Sequence, residues 1–288
     1  MRLESQQVEV HGHRLHRLIM HPESDVSVRA NALFYHGQGD YAERYPCVLD
    51  IFTRHGIRCM VTDLPGHGHS PGRRGHCGDE KMLDAVIRSS LEAMGDLPYG
   101  VMGHSMGGLL AARHLVLAGK GLLPSPDFCW LSSPLVSPGN GRSPMFRKLA
   151  GWIAPWLPWL TINTGVTTAM CRVVDDAGGQ KTVTVKPKHE LWHRRVSLAW
   201  GIFLLNTADF LDVTAGYAAE DTSLLITQGG ADTVCPPENA RALFDRLGCK
   251  KKDYVEIEDM LHEPFAGVGR ARLFEALEKW LSQLPFLK

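Results

Sequence analysis

Short apolar runs recur along the chain, each followed by a glycine-rich turn and then by a stretch with apolar residues every three to four positions. Residues 30–35 (ANALFY) run into HGQGD, 58–62 (RCMVT) into DLPGHGHS, and 99–102 (YGVM) into GHSMGG. Further on, 128–131 lead into SSP, 224–227 into QGGAD and 254–257 into EDMLHE. Runs this short and apolar fit buried strands, and the periodicity over 41–54, 80–94, 106–118, 238–247 and 268–282 fits amphipathic helices. Strands alternating with helices predict βαβ units, hence an α/β fold with a mostly parallel central sheet flanked by helices. Residues 6–20, broken at Gly12, predict an antiparallel hairpin ahead of the first parallel strand.

One segment breaks the rhythm. Residues 134–220 are too long for a connection between two strands and hold five of the seven tryptophans, Trp152, Trp156, Trp159, Trp192 and Trp200. They read as a helical cap inserted into a sheet domain whose two parts are 1–133 and 221–288.

Composition narrows the class. With 44% apolar residues among 288, the chain can bury a large core, which excludes wholesale disorder. Thirty-one basic residues balance 31 acidic ones and no Lys/Arg run exceeds three, so nucleic acid is not expected as a partner. The first 20 residues show no apolar signal core and no small-residue cleavage site. Seven scattered cysteines without C-x-x-C spacing read as reduced thiols, which points to the cytoplasm. No apolar span of 18 residues is evident; the nearest, 149–170, carries Pro155, Pro158, Asn163 and four threonines.

The candidate chemistry is nucleophilic. G-x-S-x-G places a serine on a tight strand-to-helix turn, where small flanking residues let the backbone fold sharply and expose Oγ. With 29 Gly and 15 Ser, chance alone supplies roughly 0.15 matches, so the bare pattern is weak evidence, and two copies occur. In the first, Gly68-His69-Ser70-Pro71-Gly72, proline follows the serine and leaves no N–H for an oxyanion. The second, Gly103-His104-Ser105-Met106-Gly107, follows a strand and opens a helix, whose N-terminus adds a positive dipole. Ser105 is therefore the expected nucleophile and Ser70 a turn residue.

A serine needs a base, and the base an orienting carboxylate, in the chain order Ser, Asp/Glu, His on this topology. Asp232 follows the 224–227 strand, and His262 follows the 254–257 strand and precedes the last helix. The second oxyanion donor belongs in the loop after the first parallel strand, where the backbone N–H of Gln38 joins that of Met106. These contacts are made by backbone, so changing either side chain should cost little unless the loop moves. His36, His67 and His104 stand beside glycines and are expected to brace the loops. A rival motif, His189-Glu190-Leu191-Trp192-His193, matches the zinc pattern H-E-x-x-H but lacks a clear third ligand. It reads instead as the start of a cap-anchoring helix, and no metal or other cofactor is expected.

Four blocks in order, HGQGDYAERY (36–45), DLPGHGHSPGRRG (63–75), GHSMGG (103–108) and GGADTVCP (229–236) paired with the His262 loop, resemble serine α/β-hydrolases. The resemblance is to the monoacylglycerol lipase, lysophospholipase and serine aminopeptidase-like group, with Asp40 where that group usually has Glu. It implies the α/β-hydrolase fold, a Ser105–Asp232–His262 triad, oxyanion donors at Gln38 and Met106, and an acyl-enzyme route. The expected activity is hydrolysis of medium- or long-chain acyl esters such as monoacylglycerols or lysophospholipids. An aminopeptidase or amidase would share the same catalytic residues, with Glu190 a candidate to bind the substrate amine, and a non-catalytic binding fold is the remaining alternative. The cap matches loosely; Trp152, Trp156, Trp159 and Trp192 are the candidate acyl-chain contacts, and the cap a candidate for transient contact with a membrane or micelle surface.

Overall fold

The computed structural model describes residues 1–137, 144–171, 190–265 and 270–287. An antiparallel hairpin of β1 (Arg2–Val10) and β2 (His13–His21) precedes β3 (Ala30–Tyr35), α1 (Pro46–Arg54), β4 (Ile57–Thr62), α2 (Glu80–Glu92), β5 (Tyr99–His104), α3 (Met106–Gly119) and β6 (Phe128–Ser132). After an excursion, β9 (Ser223–Gly229), α7 (Pro237–Arg246), β10 (Lys251–Ile257) and α8 (Arg270–Leu281) complete the chain. The eight-stranded sheet has the order β1-β2-β4-β3-β5-β6-β9-β10. Every pairing from β4 to β10 is parallel, and only the hairpin runs against it.

The predicted sheet strands and the helices that flank them are present, with their boundaries adjusted by local chemistry. The hairpin is longer than the sequence pattern suggested because the first part of β1 is an exposed edge whose residues 4–7 are all polar and give no apolar signal. The helix expected over 41–54 begins only at Pro46, after a single 3₁₀ turn (Ala42–Arg44). Proline has no N–H to give to a helix already under way and is suited to its first turn. α2 starts where the side chain of Asp79 accepts the Met82 N–H at 3.0 Å.

Both faces of the sheet are covered. On one, α1 and α8 bury Val48, Leu49, Phe52, Leu273 and Leu277. On the other lies a larger core with Leu109 and Leu115 of α3 and Leu243 of α7. At about 1.5–3 kcal/mol per large apolar side chain, these layers hold the carboxyl ends of β3, β5, β9 and β10 in place. In an open parallel sheet that edge is where sites form.

The excursion between β6 and β9 holds α4 (Pro144–Ile153), β7 (Thr161–Asn163), α5 (Thr168–Cys171), β8 (Arg195–Ser197) and α6 (Leu198–Thr214), with β7 and β8 forming a small antiparallel sheet. Helix α6 joins the larger core through Trp200, Leu204, Ala208 and Leu211. Residues 198–217, not 149–170, form the helical span long and apolar enough to cross a bilayer by length and composition. Here that apolarity is partly spent against α3. Helix α4 behaves differently: Met145, Leu149 and Trp152 on it and Trp156 in the turn that follows are exposed, with Trp152 81% and Trp156 82% accessible.

Candidate active site

Ser105 occupies the sharp turn between β5 and α3. Its φ of 57° and ψ of −118° lie in a region that side chains with a Cβ rarely adopt. The turn is tight enough that a Cβ on Gly103 would stand 2.1 Å from the Gly107 carbonyl oxygen, and one on Gly107 would stand 1.9 Å from that of Tyr35. Ser105 donates its backbone N–H to Ser132 at 2.9 Å and accepts at its carbonyl from Leu135 at 2.9 Å. The strain is thereby held from both sides.

Asp232 and His262 come together because two loops are zipped side by side. Gly230 N–H donates to Ile257 and Ala231 N–H to Met260, both at 2.9 Å. A Cβ on Gly229 would meet the carbonyl oxygens of Met260 and Leu261 at 2.4 Å, so glycine permits the approach. Asp232 Oδ1 accepts the Val234 and Cys235 N–H groups at 2.8 and 2.9 Å. Its Oδ2 accepts Gln228 Nε2 at 3.1 Å and pairs with His262 Nδ1 at 2.8 Å. Four donors thus surround the buried carboxylate, and its contact at Nδ1 fixes the histidine tautomer with Nδ1–H. Burial opposes the imidazolium of His262, but the adjoining Cys235 and the Asp232 carboxylate outweigh it and hold the ring's pKa well above 6.5.

Ser105 and His262 line one cavity of about 660 Å³. The Ser105 hydroxyl makes no direct hydrogen bond to His262 among the described residues; the Cys235 thiol lies within bonding reach of both. Burial raises the pKa of that thiol, while the neighbouring His262 lowers it. Unliganded sites often close such contacts only around substrate. His104 packs against His262 with ring centroids 4.8 Å apart and planes tilted by 44°, and burial, then the charges of His262 and Arg44, depress its own pKa well below 6.5. It stays neutral and supports the ring.

The 36–40 loop is shaped from within. Tyr45 Oη accepts the Gly37 N–H at 3.0 Å and donates to Asp40 Oδ2 at 2.7 Å, while Arg44 bridges Asp40 at 2.9 Å and Glu263 at 2.8 Å. His36 donates from Nδ1 to Gly37 O at 2.8 Å and accepts the Leu64 N–H at Nε2, 3.0 Å, so it does brace two loops. Gln38 lines the cavity, and among the described residues neither its backbone N–H nor that of Met106 has a protein partner.

Ser70 lies elsewhere. It is buried, donates to Asp63 O at 2.6 Å and accepts the His16 N–H at 2.9 Å, and it does not line the cavity. Ser70→Ala should retain most of the activity while lowering stability by about 1–3 kcal/mol, because the buried His16 N–H loses its acceptor; paired rate and denaturation measurements check both halves.

Of the four tryptophans, Trp192 lines the cavity; Trp152, Trp156 and Trp159 do not. Glu190 is exposed and outside it. The helix expected at the H-E-x-x-H motif is absent over 190–194, which run as turn and irregular backbone into β8. Both ring nitrogens of His193 are taken by backbone, Nε2 by Gly66 O at 3.1 Å and Nδ1 by the Arg195 N–H at 3.2 Å, while His189 lies outside the described residues. Among those residues one group could offer three metal ligands, Asp232, Cys235 and His262, and it coincides with the candidate triad. Sequence reasoning missed Gln228, Cys235 and the Arg44–Glu263 pair. The first two flank Asp232 within the motif, whereas Glu263 could be linked to Arg44 only through the fold.

The sequence pattern of the serine aminopeptidase, S33 family matches residues 26–267. Phospholipase YtpA of Bacillus subtilis is 27% identical over 253 residues, covering 86% of this chain and 93% of its own. An uncharacterized abhydrolase domain-containing protein of Dictyostelium discoideum is 25% identical over 88% of this chain, which spans only 26% of that longer protein. Among solved structures, the monoacylglycerol lipase of Paleococcus ferrophilus superposes with a TM-score of 0.79 at 25% identity, covering 93% of this chain and 98% of its own. The strained serine turn, the eight-stranded sheet and the match over most of its length place the chain in the serine aminopeptidase, S33 family of α/β-hydrolases.

Proposed function

We propose that the protein hydrolyses carboxylic esters through an acyl-enzyme on Ser105. The observation that carries this reading is the Asp232–His262 pair opening with Ser105 into one cavity whose walls include Leu135, Ile162, Val196, Ile202 and Leu205. His262 Nε2 takes the serine proton as Oγ attacks the ester carbonyl, and Asp232 stabilises the imidazolium that forms. The negative oxygen settles on the Gln38 and Met106 N–H groups. His262 then gives its proton to the leaving alcohol and activates the water that releases the acid.

Medium- or long-chain acyl esters, of the monoacylglycerol or lysophospholipid kind, suit the apolar walls, and the names of the relatives point the same way. The segment 134–220 serves as the cap over the acyl site. The exposed Met145, Leu149 and Trp152 of α4, with Trp156 in the turn after it, meet a membrane or micelle surface, since four large apolar side chains gain from leaving water. An aminopeptidase reading needs an acidic group for the substrate amine. The cavity carboxylates Asp40 and Glu263 are both engaged by Arg44, which favours the ester. All seven cysteines are free thiols, in keeping with the cytoplasm.

Hydrolysis of p-nitrophenyl esters from acetyl to palmitoyl, with an aminoacyl arylamide alongside, tests the substrate class. Turnover should rise from acetyl to at least octanoyl. A preference for acetyl would remove the lipid part of the reading, and arylamide turnover with poor ester turnover would replace it with the peptidase.

A further inference from the structure

The two residues read as the oxyanion donors, Gln38 and Met106, also meet through their side chains, at a single hydrogen. The indole Nε1–H of Trp200 lies 3.1 Å from Gln38 Oε1 and 3.2 Å from Met106 Sδ. Trp200 stands in the first turn of α6, almost wholly buried, stacked on Phe203 with centroids 4.8 Å apart. Its backbone N–H is held by the N-cap, Ser197 Oγ, at 3.3 Å. The ring therefore has little freedom.

The other end of the Gln38 side chain is anchored too. Nε2 donates to the Arg195 carbonyl at 2.7 Å, and the neighbouring Gly39 carbonyl accepts the His193 N–H at 3.0 Å. The segment 193–200 thus fastens the outer side of the 36–40 loop, while Tyr45 and Asp40 fasten its inner side. The two N–H groups differ in how they are aimed. That of Met106 is directed by α3, whereas Gln38 lies between two glycines on an irregular loop, where a peptide can pivot unless its side chain is tied.

We propose that Trp200 is a positioning residue: its indole N–H, shared between Gln38 and Met106, holds the Gln38 peptide at the angle that brings both backbone N–H groups to one point. The inference rests on the reading of those two groups as the oxyanion donors. An indole nitrogen can only donate, so the pairing has one polarity and both side chains must supply acceptors. Removing the shared hydrogen leaves the donor in place but loose. Misplacement by about 1 Å can cost up to 10²-fold, less than the 10²–10³ lost when a donor is deleted.

Trp200→Phe keeps an aromatic ring against Phe203 and deletes the hydrogen. With p-nitrophenyl octanoate, kcat should fall about 10- to 100-fold at unchanged KM. The inhibition constant of an alkyl trifluoromethyl ketone, whose serine adduct carries the same negative oxygen, should rise by a matching factor. A merely structural role would lower the thermal midpoint or the active fraction without moving that constant. Gln38→Leu removes both side-chain ties of residue 38 and should give the same loss confined to kcat, and it serves if Trp200→Phe does not fold. In the Gln38→Leu background, Trp200→Phe should add nothing. Wild-type kcat and inhibitor affinity in folded Trp200→Phe, a loss confined to KM, or full additivity of the two changes would each overturn the proposal. Ser105→Ala is measured in parallel: activity that depends on Ser105 but ignores Trp200 and Gln38 sinks this inference alone, whereas activity surviving Ser105→Ala sinks the reading beneath it.

Discussion

Ser105→Ala should lower kcat for ester hydrolysis by about 10⁶-fold while leaving the fold and substrate affinity intact, by analogy with measured triads. The turn presents Ser105 to the cavity at a backbone angle that few residues tolerate, and Ser70 is committed to Asp63 and His16. The residual rate would come from the two N–H groups and from binding alone. Stability should change little or rise slightly, because alanine keeps the same backbone and no buried partner of the hydroxyl is orphaned. Active-site titration with circular dichroism on the same preparation separates lost chemistry from lost fold.

Asp232→Asn should lower kcat by about 10⁴-fold through the tautomer of His262. An asparagine oxygen directed at the Val234 and Cys235 N–H groups turns its NH₂ toward Gln228 Nε2 and His262 Nδ1, two groups that donate in the native site. His262 must then accept at Nδ1 and carry its proton on Nε2, where it cannot receive the serine proton. The pH dependence follows from the same pair. His262 titrates above 6.5 in the folded protein and must be neutral to act as base, so kcat/KM should rise with pH through a midpoint above 6.5. Its folded pKa exceeds the unfolded one, so the pair's contribution to stability is whole below about pH 6.5 and is lost as pH climbs through the folded value. In Asp232→Asn the midpoint should move down and that part of the pH-dependent stability should disappear. A wild-type limb at or below 6.5, unmoved by the substitution, would contradict the assignment of His262 as the base.

Much of this was legible in the sequence because the signals are local. A Gly-His-Ser-Met-Gly run after an apolar strand forces its own turn, and the order Ser105, Asp232, His262 follows from where strands end. Each expected strand is in the sheet for the same reason: its apolar side chains had no other layer to enter. What escaped was set by packing between distant segments. The role of Gln38 illustrates the limit, since its backbone position could be read from the motif while its side-chain ties to Arg195 and Trp200 arise only when 193–200 folds back over the loop. The tryptophans show the converse: LAGWIAPWLPWL is apolar enough for a cavity wall, yet α4 turns Trp152 outward and the turn after it leaves Trp156 exposed. Residues 190–194 failed as a helix because backbone groups of the 66 and 39 turns claim His193.

The central claim, an acyl-enzyme on Ser105 that turns over carboxylic esters, is tested most directly by labelling with an alkyl fluorophosphonate and mapping the adduct by peptide mass spectrometry. The account predicts one adduct per chain, on Ser105, formed in step with loss of p-nitrophenyl octanoate hydrolysis and absent from Ser105→Ala. Stoichiometric labelling of another residue, or undiminished ester hydrolysis after Ser105 is fully modified, would contradict it.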